Sequence, residues 1–149
     1  MCHDKRRMLI VALMVAAALQ LAACGQTSTV SASKVQPVTI EKNAETGLNR
    51  LVLTEKAAQR INVQTVPVRE EQVNGSQRMV IPYAAVIYGL KGETWAYTNP
   101  APLTFVRQKI TIDFIDGDKV ILKERPAAGT AIVTVGVPEL YGADTGIGK

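Results

Sequence analysis

The chain has 149 residues, about the length of one domain, with 17 Lys and Arg against 13 Asp and Glu for a net charge of +4. Lys5, Arg6 and Arg7 against Asp4 put half of that excess in the first 23 residues, so the rest is close to neutral and gives no reason to expect nucleic acid as a partner. The one histidine, His3, and one of the two cysteines, Cys2, lie in the same stretch, which excludes soft-metal sites and His-dependent hydrolases from the body.

The first 23 residues read as an address. Lys5-Arg6-Arg7 precede an unbroken apolar run over residues 8–19, shorter than the roughly 20 residues that cross a bilayer. Leu21-Ala22-Ala23-Cys24-Gly25 then resembles a bacterial lipobox. That resemblance implies lipidation of the Cys24 sulfur and cleavage before it, with residues 1–23 as a lipoprotein signal peptide. The chain is then expected in the cell envelope, lipid-anchored to a bacterial membrane and facing the periplasm or exterior. Several acyl chains anchor stably where one binds marginally, so membrane lipid is the first expected partner. Residues 24–36, small and polar through QTSTVSAS, read as a flexible tether.

Residues 37–141 read as a β-module. Strands are expected at 38–41 and 50–53, followed by a short helix at 55–60 with Thr54 as its cap, Glu55 in its first turn and Arg60 at its end. Alternation over 61–68 predicts a strand bent at Pro67, and Asn74-Gly75 a turn. Residues 78–88 read as one apolar strand containing Pro82, then a hairpin loop at 89–92 and an aromatic strand at 94–98. Asn99-Pro100-Ala101-Pro102 reads as a rigid loop, and 103–115 as one long strand with Ile110, Ile112 and Phe114 on a single face. A three-residue loop at Asp116-Gly117-Asp118 then pairs Phe114 with Val120 and Ile112 with Leu122. A last strand is expected at 131–135 and a fraying, glycine-rich tail at 142–149. The whole is all-β, mainly β with one short helix: a small barrel-like or sandwich module.

Laid out in this order, residues 51–142 resemble the periplasmic adaptor subunits, or membrane fusion proteins, of resistance–nodulation–division efflux pumps. The matching pieces are Leu53 through Ile61 with Val66-Pro67-Val68, Val80-Ile81-Pro82-Tyr83-Ala84-Ala85-Val86, Thr94-Trp95-Ala96-Tyr97, Asp116-Gly117-Asp118, and Glu139-Leu140-Tyr141-Gly142. The resemblance implies a membrane-proximal β-domain and an envelope transporter or adaptor as partner. The chain departs from the family in its middle: only residues 72–79 stand where adaptors carry lipoyl-like half-motifs, a barrel domain and usually a helical hairpin, which puts reach toward an outer-membrane channel in doubt.

The expected function is therefore docking in the service of efflux or transport, with no catalytic residue, cofactor or metal. Tyr83, Trp95, Tyr97 and Tyr141 are the candidate interface aromatics. Trp95 and Tyr97, two apart, share a face and either pack inward or line a contact; Arg107 and Lys109 share a face that reads as solvated. Asp113, Asp116 and Asp118 cluster without a calcium-loop spacing, and no nucleophile–base pair accompanies them. The alternative function is a ligand-binding lipoprotein that presents a small molecule or ion to a permease.

Overall fold

The computed structural model describes residues 36–124 and 126–147, so the expected leader, Cys24 and most of the tether lie outside the described residues. Strand β1 (Val38–Lys42) turns into β2 (Asn49–Leu53) through a loop in which the Asn43 side chain accepts from the Glu45 and Thr46 amides at 2.8 and 3.1 Å. Helix α1 (Glu55–Arg60) starts where its cap predicts: Thr54 Oγ1 accepts from the Ala57 amide at 3.2 Å, satisfying one of the donors a helix start leaves free. Then come β3 (Gln64–Pro67), β4 (Arg69–Val73), β5 (Ser76–Pro82), a 3-10 turn (Tyr83–Ala85) and β6 (Ile87–Tyr88). The second half is β7 (Thr94–Ala101), β8 (Thr104–Ile110), β9 (Ile112–Asp116), β10 (Lys119–Leu122), β11 (Ala131–Val135) and α2 (Val137–Thr145).

The strands form two antiparallel sheets. The larger runs β1-β2-β8-β7-β11-β3 with β6 added beside β7, and the smaller runs β4-β5-β10-β9. The mainly-β expectation holds, but the barrel does not: the large sheet ends open at β1 and β3, and the small one at β4 and β9. The cause lies at two switch points. Val68, just past Pro67, still donates to the Thr130 carbonyl at 2.8 Å and accepts from the Gly129 amide at 2.9 Å, and from Arg69 on the chain runs in the small sheet. At Thr111 the expected long strand 103–115 breaks in the same sense, β8 staying in the large sheet and β9 joining the small. The two sheets therefore stack instead of curling into one closed wall.

Stacking gives three layers around two cores. On one face of the large sheet, Leu51, Leu53, Tyr97, Phe105 and Val133 pack with Val137 and Leu140 of α2 and with Ala57 and Ala58 of α1. On the other, Ala96, Ile110 and Ile132 pack with Ile81, Val120 and Leu122 of the small sheet.

Four local expectations are corrected. The 78–88 run is not one strand, because the chain turns through the 3-10 segment after Pro82. Asn99 to Ala101 continue β7, and the reversal falls at Pro102 and Leu103, the latter at φ +56°. The hairpin after β9 has a two-residue loop, Gly117-Asp118, with Lys119 opposite Asp116 and Phe114 opposite Ile121. Gly117 takes φ +61° at the first loop position, which glycine tolerates for lack of a Cβ, and a bulge restores the expected Ile112–Leu122 pairing further along. This register puts Phe114 in a row with Ile121 and Val80, both buried, and away from Ile110 and Ile112. Finally, residues 142–145 are no tail: Gly136 at φ +88° lets the chain turn into α2, Pro138 suits its first turn, and Val137, Leu140 and Asp144 are buried.

Candidate functional site

Register brings the site together. β7 and β8 pair Tyr97 with Arg107 and Trp95 with Lys109, so all four side chains lie on the helix-covered face, and Asn49 at the start of β2 falls in line with Arg107. α2 then lowers Asp144 onto this row. Its carboxylate, 1% exposed, accepts from the Tyr97 hydroxyl at 2.6 Å and from Asn49 Nδ2 at 2.8 Å, and Asn49 Nδ2 also reaches the Asp144 carbonyl at 3.0 Å. Arg107 Nε stands 3.3 Å from the same carboxylate, an ion pair outside hydrogen-bond alignment. The guanidinium lies 4.9 Å from the Trp95 ring centre and 6.0 Å from that of Tyr141, so two aromatic rings and one carboxylate stabilise a mostly buried cation.

Of the four sequence-predicted aromatics, three thus converge. Tyr97 is fully buried, so a partner's contact with it is excluded in the folded chain; Trp95 and Tyr141 are half-buried walls for Arg107. The expectation of a solvated Arg107 is corrected for the same reason, whereas Lys109 is exposed. Tyr83 stands apart, exposed after β5, with its amide on the Asp118 carbonyl at 2.7 Å. Tyr88 is also exposed, and the neighbouring Tyr83 side chain raises its hydroxyl pKa above the ordinary value. Asp144 and Asn49 escape the sequence reading, since an acid in a Gly-Ala-Asp-Thr stretch gives no sign of burial.

Burial, and next the bond to Asp144, push the Tyr97 hydroxyl pKa far above its usual value near 10. The folded state therefore keeps a proton that the unfolded chain loses near pH 10. Stability from this group is complete below about pH 10 and declines as pH rises further, by about 1.4 kcal/mol per pH unit. Urea midpoints taken from pH 9 to 11.5 should fall more steeply for the wild type than for Tyr97→Phe; parallel curves would show that Tyr97 is not the group responsible.

Beside the cluster, β8 outruns β2: their pairing stops at Arg50 opposite Val106, while β8 continues to Ile110. A cleft of about 450 Å³ opens there, lined by Asn49, Arg50, Trp95, Arg107, Gln108 and Lys109 with the β1–β2 turn. Asp113 is tied to Arg78 at 3.0 Å, and among the described residues no three His, Cys, Asp or Glu side chains are grouped to hold a metal ion. No helix of the described residues is long and apolar enough to cross a membrane. Compared with known proteins, the chain matches no family model, no curated protein and no solved structure.

Proposed function

We propose that the protein is a lipid-anchored component of a bacterial envelope whose β-module docks on a membrane transporter or its adaptor and assists efflux or transport by binding, without a chemical step. The anchoring half rests on the basic, apolar and Leu21-Ala22-Ala23-Cys24 segments in their order. The docking half rests on one corner of the surface. Tyr83 and Tyr88 stand exposed together, and Leu90, two residues on at the tip of the next turn, is fully exposed. Aromatic side chains that carry both ring and hydroxyl, next to an aliphatic one, are the composition of an interface centre.

Photocrosslinking residues placed at Tyr83 and Leu90 in cells should each capture a membrane transporter or adaptor polypeptide, while one at Gln72 on β4 should not. Equal capture from all three positions, or capture of soluble proteins only, would refute docking at this corner. The cleft beside Trp95 supports the second reading, a ligand-presenting lipoprotein. Its Arg50 and Lys109 are exposed cations, so its ligand would be a small anion. Saturable micromolar binding of such a molecule in calorimetry would favour that reading over docking.

A further inference from the structure

The helical layer does not cover the whole of its face. In β1, Val38 and Ile40 stand opposite Leu53 and Leu51, so the inward alternation of β2 continues one strand further out. Leu51 and Leu53 are buried beneath the helices, yet Ile40 is 40% exposed. Between β1 and α2 a trough of about 610 Å³ remains, walled by Pro37, Val38 and Ile40 on one side and by Pro138, Ala143 and Ile147 on the other. Ile147, just past the left-handed Gly146 that ends α2, is 68% exposed. Glu139 is the one charged side chain among the described residues that line it.

Where the chain arrives decides what can cover this strip. Gln36, the first described residue, is itself on the trough's rim. Cys24 lies twelve residues upstream, and a chain of that length spans at most about 40 Å when fully extended. Of the described surface, this trough is therefore the part tied by the shortest length of chain to the anchored lipid. We propose that it is the membrane-facing side of the module, with Ile40 and Ile147 dipping into the boundary between lipid headgroups and acyl chains. Apolar side chains of interfacial segments sit about 5–10 Å deep at that level. This rests on the anchor proposed at Cys24, and it leaves the Tyr83–Tyr88 corner free for a protein partner.

The test uses the whole chain expressed in a bacterium, purified as processed there and mixed with phosphatidylethanolamine–phosphatidylglycerol vesicles, with bimane attached at Ile147→Cys or, as control, at Gln72→Cys on the small sheet. Doxyl-labelled lipid should quench the bimane at 147 at least three-fold more than the one at 72. A protein that floats with the vesicles but shows equal quenching at both sites would overturn the trough's role while sparing the anchor. A protein that does not float would overturn the anchor itself. An unquenched probe at 147 in a chain that sediments as a dimer would assign the trough to a second copy, and would equally overturn the proposal.

Discussion

Asp144→Ala should lower the unfolding free energy by about 3 kcal/mol, near the bottom of the range for removing one partner of a buried charge pair. The substitution leaves the Tyr97 hydroxyl buried without an acceptor, and deprives Arg107, whose side chain is 20% exposed, of its counter-charge. Asn49 suffers less, since its amide keeps the Asp144 carbonyl at 3.0 Å. For a body of this size the melting temperature should fall by roughly 10–20 °C. Asp144→Asn, which keeps an acceptor for Tyr97 but no charge, should lie between. Because Tyr97 and Asp144 share a bond, the double variant Tyr97→Phe/Asp144→Ala should lose less than the two single changes together. Urea denaturation decides: a loss below about 1 kcal/mol for Asp144→Ala would mean that the row of polar side chains contributes little.

The other large effect concerns location. With residues 1–23 exchanged for a leader that an ordinary signal peptidase removes, and Cys24→Ser, the protein should move entirely from the membrane to the soluble fraction. Two acyl chains of ordinary length contribute on the order of 20 kcal/mol at about 0.8 kcal/mol per buried methylene. A trough that rests on the bilayer without them would supply only weak, reversible attachment. Fractionation with mass measurement of the wild-type N-terminus checks both halves: a membrane-bound Cys24→Ser chain, or a wild type lacking added acyl mass, would contradict the anchor.

What could be read in the residues was mostly local. Thr54 with Glu55 and Arg60 marks α1 to the residue, and Asn74-Gly75, with φ of +51° and +78°, gives a two-residue turn with Val73 opposite Ser76. β4 was missed because Arg69-Glu-Glu-Gln-Val73 is a polar edge strand with almost no alternation to betray it. α2 was missed because its Gly142 and a sparse apolar stripe look like tail, although Gly136, Pro138 and Gly146 are start and stop signals in hindsight. Of the barrel-like or sandwich expectation, the closed barrel failed just past Val68 and at Thr111, where no residue says to which sheet the next strand goes. The site shows the same division: Trp95 and Tyr97 share a face by parity alone, but that Arg107 lies between Trp95 and Tyr141 depends on the helix that parity does not reveal.

The bond between Asn49 and Asp144 joins residues 95 apart in the chain. Such distant closures dominate folds that assemble slowly, in milliseconds to seconds. A polypeptide shortened before α2 would lack the helix that seals this interior. Leu51 and Phe105 would then lie uncovered, so truncation after Gly136 should leave aggregates instead of a shortened folded module.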